Sequence, residues 1–251
     1  MDLAAYRASQ AEQARTRDLL RLTPASGAVA LDVGARDGHF SRLLAERFGR
    51  VIALDLSRPD IDHPRVECVA GNACDLALED DSVDFVFCAE VLEHVPTPML
   101  ARACGELERV CRGTLLIGVP YRQDLRVGRT TCGTCQRTNP PWGHVNRFDE
   151  GTLAALFPRC RVGSVSFVGE TSEGTNALSA WLMDLAGNPY GTYNQEEPCV
   201  HCGHRLLPPP PRTLPRKVLT RLGIWARDAG SLGRQPRGNW IHMALHRHPA
   251  A

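Results

Sequence analysis

The chain has 251 residues, 43% of them hydrophobic and 23% charged, with a formal net charge of +1. That length and apolar content support one substantial core with an added lobe and exclude disorder throughout. The balance gives no whole-chain drive toward nucleic acid or an anionic membrane, although from Arg205 onward nine arginines and lysines stand against one acid, Asp228.

Residues 1–24 mix acids, arginines and glutamines without an apolar h-region, so no secretory signal is visible. No apolar run approaches the roughly 18 residues that span a bilayer. A cytoplasmic location without a membrane span is therefore expected. There the ten cysteines read as buried thiols or metal ligands rather than disulfides. Residues 3–22 suit a surface helix over the sheet, ended by Pro24. Strands near 29–33, 51–55, 65–69, 84–88 and 114–119 alternate with helices near 39–48 and 98–111, the pattern of a parallel sheet with right-handed crossovers. Phe40, Leu43, Leu44 and Phe48 form the apolar stripe of the first of these helices, and residues 90–95 read as a short helix after the fourth strand. Further on, 150–157 reads as a helix, 162–168 as a strand and 176–185 as an amphipathic helix. Pro208 to Pro211 make a stiff spacer before a basic amphipathic helix at 216–228 and a last strand at 240–246.

Residues 31–41, Leu-Asp-Val-Gly-Ala-Arg-Asp-Gly-His-Phe-Ser, carry the most information. A strand bearing Asp32 turns through Gly34 and Gly38 into a helix, and the next strand ends on Asp55. A glycine turn opening a helix, with an acid about twenty residues on, suits an adenosine ribose at the switch point of a doubly wound sheet. Dinucleotide binders share that pattern. Asn72-Ala73 then follows the third strand, and Asp84-Phe-Val-Phe-Cys-Ala-Glu-Val-Leu-Glu-His94 the polar turn before the fourth.

With these four elements in order, the chain resembles a class I S-adenosylmethionine-dependent methyltransferase of the type-11 kind over about residues 20–120. The resemblance implies an α/β fold: a doubly wound, seven-stranded, mostly parallel sheet whose last strand is antiparallel and lies between the fifth and sixth. It also implies S-adenosylmethionine as cofactor, with Asp32, Gly34 and Gly38 at the methionine part, Asp55 on both ribose hydroxyls, Asn72 and Ala73 at the adenine, and Cys88 counted among the cofactor-binding residues. Two positions depart from the family. Arg36 replaces a usual glycine, which is disfavoured wherever φ must be positive. Asn72 replaces an adenine-reading acid, keeping an acceptor carbonyl but losing the charge.

Cys132-Gly-Thr-Cys135 and Cys199-Val-His-Cys202 are two C-x2-C pairs that together make a four-cysteine structural zinc site. Gly203 suits the turn of a metal knuckle. The 63 residues between the pairs exclude a contiguous ribbon, whose spacing is about 15–20. The topology repairs this, because Cys132 follows the fifth strand and Cys199 the sixth. The expected organisation is one methyltransferase domain: an N-terminal helix (1–24), a cofactor-binding core (25–127), a zinc lobe inserted over the active site (128–147 and 187–215), and a basic helix with the last strand (216–251).

Methyl transfer from a sulfonium needs alignment in a dry site more than a particular side chain. A hydroxyl acceptor also needs a base, and His94 and His144 are the histidines at hand, with Glu93 able to orient His94 or bind a substrate hydroxyl. The expected acceptor is a small molecule or glycan. An RNA methyltransferase gripping phosphates with the zinc lobe and basic helix is the alternative within enzymes, disfavoured by the near-neutral charge and the lack of an aromatic platform. A cofactor-sensing scaffold, with a site degraded at Arg36, is the alternative outside them.

Overall fold

The computed structural model describes residues 7–231 and 233–248. It divides into two compact units, one made of residues 10–121, 148–169 and 239–248, the other of 122–147 and 170–238 with 7–9. The sequence suggests one domain with a local lobe. Chain contacts instead group the whole 170–238 insertion with 122–147.

The first unit is a seven-stranded sheet in the order β3-β2-β1-β4-β5-β9-β8. Its strands are β1 (Gly27–Val33), β2 (Phe48–Asp55), β3 (Val66–Ala70), β4 (Val83–Ala89), β5 (Cys111–Pro120), β8 (Cys160–Val168) and β9 (Trp240–Arg247). β1 to β5 run parallel, while β9 is antiparallel to both neighbours, β5 and β8, as the family resemblance implies. β1, β2, β4 and β5 read as near-continuous apolar runs because both of their faces are buried.

Helices α1 (Gln10–Leu22), α2 (His39–Ala45), α3 (Leu100–Val110) and α4 (Glu150–Ala155) cover this sheet. Residues 3–6 of the expected first helix lie outside the described residues. α1 is tied to the sheet through Asp18, whose carboxylate accepts from His242 Nδ1 at 2.7 Å and from the Ser166 hydroxyl. Asp149 caps α4, accepting from the N–H of Thr152 while the Thr152 hydroxyl accepts from the N–H of Asp149.

Two local expectations are corrected. Phe48 does not extend α2; it opens β2 and stacks on Phe85 at 5.3 Å, because a residue buried from the strand side outweighs its helical spacing. Residues 90–95 form a turn rather than a helix, with Glu90 at φ 59° and the His94 N–H closing on the Val91 carbonyl at 3.0 Å. Of the six cysteines outside the C-x2-C pairs, Cys74, Cys88, Cys104 and Cys111 are buried, while Cys68 and Cys160 are partly so.

The second unit holds the hairpin β6 (Thr130–Thr131) and β7 (Thr138–Asn139), and helices α5 (Ala177–Leu185) and α6 (Leu214–Ala229). Gly223 lets α6 approach α5 closely: a Cβ there would lie 3.3 Å from Met183 Cε and 3.4 Å from Leu182 Cβ. Asn176 joins the two helices, accepting from the Ser179 N–H as cap of α5 and donating to the Ala226 carbonyl of α6 at 2.7 Å.

Candidate functional site

The carboxyl ends of β1, β2 and β4 meet where the strand order reverses between β1 and β4, the position at which open α/β sheets bind ligands. Gly34 and Gly38 both sit at φ 78°. A Cβ on Gly34 would lie 2.5 Å from Val91 Cγ2, and one on Gly38 the same distance from Ile61 Cδ1, so only glycine fits either place. The Gly34 and Ala35 N–H groups donate to the Leu54 carbonyl at 2.8 and 3.1 Å, tying the turn to β2.

Arg36, between the glycines, is also left-handed, at φ 48°. Its N–H donates to Asp55 Oδ2 at 2.9 Å, and the Leu56 N–H donates to Oδ1 at 2.7 Å. An ionised carboxylate offers about four lone-pair sites, so Asp55 keeps capacity for two hydroxyls. Asp32 is buried and accepts from the Ser41 hydroxyl at 2.5 Å. Burial raises its carboxyl to about 7, with the charge of Asp55 adding to the effect and the Ser41 bond opposing it. On the far side, Asn72 is exposed and its side-chain carbonyl accepts from the Cys74 N–H at 2.9 Å, which leaves that oxygen a second lone pair. Ala73 is buried beside it.

Cys88 is wholly buried in the core cluster with Val33, Leu92 and Ile117. Its side chain is therefore packed rather than presented at the edge, and burial pushes its thiol well up. Glu93, whose sequence context suits an exposed helix acid, is instead 0% exposed, and neither carboxylate oxygen has a hydrogen-bond partner among the described residues. Burial, reinforced by Glu90, raises its carboxyl far above the usual range. Glu93 and His94 bring ligand atoms within 4.8 Å of each other.

A buried arginine that the sequence did not disclose stands beside Glu90. Arg15 of α1 makes two 2.7 Å bonds to Glu12, lies 3.9 Å from Glu90 Oε1, and stands over the rings of Phe40 and Trp240 at 5.7 and 5.9 Å. Its sequence signal is slight, one arginine among several on α1, one turn from an acid.

His144 belongs to the second unit. It is 7% exposed, and its Nδ1 stands 2.6 Å from Gln123 Oε1. An amide oxygen can only accept, so Nδ1 carries the proton and Nε2 the acceptor lone pair.

The same unit brings Cys132, Cys135, Cys199 and Cys202 together, with every sulfur within 4.8 Å of the others. Cys132 and Cys202 are 3.7 Å apart, Cys135 and Cys199 3.6 Å. A tetrahedron of sulfurs about 2.3 Å from a zinc ion has edges of about 3.8 Å, so the donor set fits that metal. The two knuckles repeat one geometry. The N–H of Gln136 donates to the Cys132 carbonyl at 3.0 Å and that of Gly203 to the Cys199 carbonyl at 2.9 Å. The N–H of Cys132 reaches the Arg137 carbonyl and that of Cys199 the His204 carbonyl, at 3.0 and 2.8 Å. Backbone N–H groups of Cys135 and Thr134 turned toward the Cys132 sulfur draw its thiol down to about 6. Three residues without a sequence signal hold the knuckles: Asn139 accepts from the Val200 N–H at 2.9 Å, Tyr193 from the Thr131 N–H at 2.9 Å, and Asn188 donates to Thr131 Oγ1 at 3.1 Å.

Residues 31–116 match the profile of the Methyltransferase domain family. A "Probable S-adenosylmethionine-dependent methyltransferase" of Mycolicibacterium smegmatis is 34% identical over 113 residues, covering 42% of this chain and 43% of that protein. A ubiquinone biosynthesis O-methyltransferase of Xanthomonas campestris pv. campestris is 36% identical over 107 residues, 38% of this chain and 44% of its own. The matched region thus spans less than half of the curated relatives' length. Among solved structures, an S-adenosylmethionine-dependent methyltransferase from Mesorhizobium loti aligns with a TM-score of 0.52 at 16% identity, covering 93% of this chain and 98% of that one.

The sheet and its glycine turn define a Rossmann-like α/β protein with a nucleotide-type edge. Its residues 31–116 match the methyltransferase domain family, and the fold is like that of solved S-adenosylmethionine-dependent methyltransferases.

Proposed function

We propose that the chain transfers the methyl group of S-adenosylmethionine to a hydroxyl of a small molecule or glycan. The observation that carries this reading is the paired turn at β1 and β2: left-handed Gly34 and Gly38 framing Asp55, whose remaining lone pairs suit the two ribose hydroxyls. Asp32 and the glycine turn take the methionine part, Asn72 and the Ala73 backbone the adenine. Cys88 supports that edge from within the core.

The bound cofactor supplies an electrophilic methyl on a sulfonium, and the protein's own task is alignment. A fixed in-line geometry in a dry site can contribute up to roughly 7–11 kcal/mol of the barrier. His94 accepts the acceptor's hydroxyl proton, and the buried carboxyl of Glu93, within 4.8 Å of it, is at hand to bind that hydroxyl. The O-methyltransferase among the relatives supports a hydroxyl as nucleophile. His144 is a second base of suitable tautomer, held by Gln123.

Cys132, Cys135, Cys199 and Cys202 hold a structural zinc ion, supported by the sulfur spacing and the two matching knuckles. Four sulfur ligands close the coordination sphere, so the metal stabilises this unit rather than activating substrate. No helix among the described residues is long and apolar enough to cross a membrane. We place the protein in the cytoplasm.

Conversion of S-adenosylmethionine to S-adenosylhomocysteine in the presence of a panel of hydroxylated acceptors tests the function. Acceptor-dependent turnover that falls at least tenfold in His94→Ala supports it; turnover independent of both acceptor and His94 would refute the base assignment.

A further inference from the structure

Helix α6 carries an apolar face turned outward. Leu214, Val218, Leu222 and Trp225 follow one another at spacings of four, four and three, and are 76%, 59%, 42% and 61% exposed. The opposite face does the packing, with Thr220 and Gly223 buried and Gly223 set against Leu182 and Met183. On α5, Trp181 is a second outward indole, 57% exposed. Contiguous apolar surface of this kind is uncommon on soluble chains unless something binds it.

Charge indicates what binds. α6 carries Arg216, Lys217, Arg221 and Arg227 against a single acid, Asp228, which pairs with Arg227 at 2.9 Å. Lys217 and Arg221 are exposed and flank the apolar stripe. A second copy meeting this face about a two-fold axis would set those cations against their own counterparts. RNA would satisfy the cations and leave the leucine, valine and tryptophan face in water. A helix with tryptophan and leucine on one side and arginine and lysine beside them has the chemistry of an anionic bilayer surface, its apolar face entering the headgroup boundary and its cations meeting lipid phosphates.

We propose that α6 is a peripheral docking helix for an anionic lipid surface. This rests on α6 itself and not on the methyltransferase reading. The test is co-sedimentation of the full chain with phosphatidylcholine vesicles, with and without phosphatidylglycerol. Binding is expected only with the anionic lipid, accompanied by a blue shift of tryptophan emission that is lost in Trp225→Phe. Leu222→Asp combined with Trp225→Asp should lower the partition coefficient about a hundredfold. Lys217→Gln with Arg221→Gln should lower it roughly thirtyfold. All four positions are exposed, and unchanged thermal melting verifies that the variants fold. Four results would overturn the proposal: equal binding to neutral vesicles, undiminished binding by folded variants, RNA binding without vesicle binding, or a dimer that these substitutions dissociate without vesicle binding.

Discussion

The backbone N–H of Arg36 donates a 2.9 Å hydrogen bond to Asp55 Oδ2 from a left-handed conformation, φ 48°. The turn thus holds the acid at the end of β2 at the cost of backbone strain, since a side chain in this region costs about 1–2 kcal/mol. The sequence expectation that Arg36 weakens the site takes a different form in the structure, where its backbone supports the carboxylate.

Replacing Arg36 by Gly should therefore stabilise the protein by about 1 kcal/mol, the relieved strain exceeding the added freedom of the unfolded chain. Urea unfolding measures this, and S-adenosylhomocysteine affinity should be retained because the N–H to Asp55 remains. A loss of stability would show that the arginine side chain contributes more than its backbone costs.

Asp32 makes the stability of the sheet unit depend on pH. Burial raises its carboxyl to about 7, so the folded state holds a proton that the unfolded chain releases near its ordinary value. That contribution is complete below about pH 4 and is lost as pH rises through about 7. Its full span is roughly 4 kcal/mol, and Asp32→Asn, which stays neutral, should gain on the wild type across this window. Unfolding free energies of the two proteins at intervals over the range check it; parallel curves would show that Asp32 is ionised when folded.

Glu93→Gln mimics the protonated acid that burial favours. Below about pH 4 the variant should unfold with the wild type to within about 0.5 kcal/mol, and as pH rises above the ordinary carboxylate range it should become progressively the more stable, because only the wild type's unfolded state releases a proton. A lower turnover by the folded variant, with a shifted pH–rate profile, would mark Glu93 as a positioning residue for His94.

Gln136 and Gly203 occupy equivalent places after Cys135 and Cys202, at φ 58° and φ 72°. Gln136→Gly should therefore stabilise the first knuckle by about 1 kcal/mol with full zinc content. Cys199→Ser should release zinc and lower the melting temperature of this unit, read by metal analysis and calorimetry. Full zinc content in Cys199→Ser would refute four-cysteine ligation.

The sheet was legible because each of its signals is local. Apolar runs mark β1, β2, β4 and β5, and glycines mark the turn where a Cβ would strike Val91 or Ile61. The cysteine cluster was legible because paired C-x2-C motifs need only a topology that joins them. What escaped depends on tertiary burial. Phe48 continues the helical spacing of Phe40 and Leu44, yet stacks on Phe85 from the start of β2. Glu93 reads as a helix acid until Leu92, Val95 and the buried end of β4 enclose its turn. Asn139 and Tyr193 act through partners 61 and 62 residues away, and Arg15 through the distant Glu90 and ring stacking, none of which periodicity reports.

Isothermal titration of the zinc-loaded chain with S-adenosylhomocysteine, beside Asp55→Ala, tests the central claim most directly. Saturable binding to the wild type that Asp55→Ala abolishes is the expected result. Absence of binding to folded, zinc-loaded wild type, or binding undiminished in Asp55→Ala, would contradict a working methyl-donor site at the ends of β1 and β2.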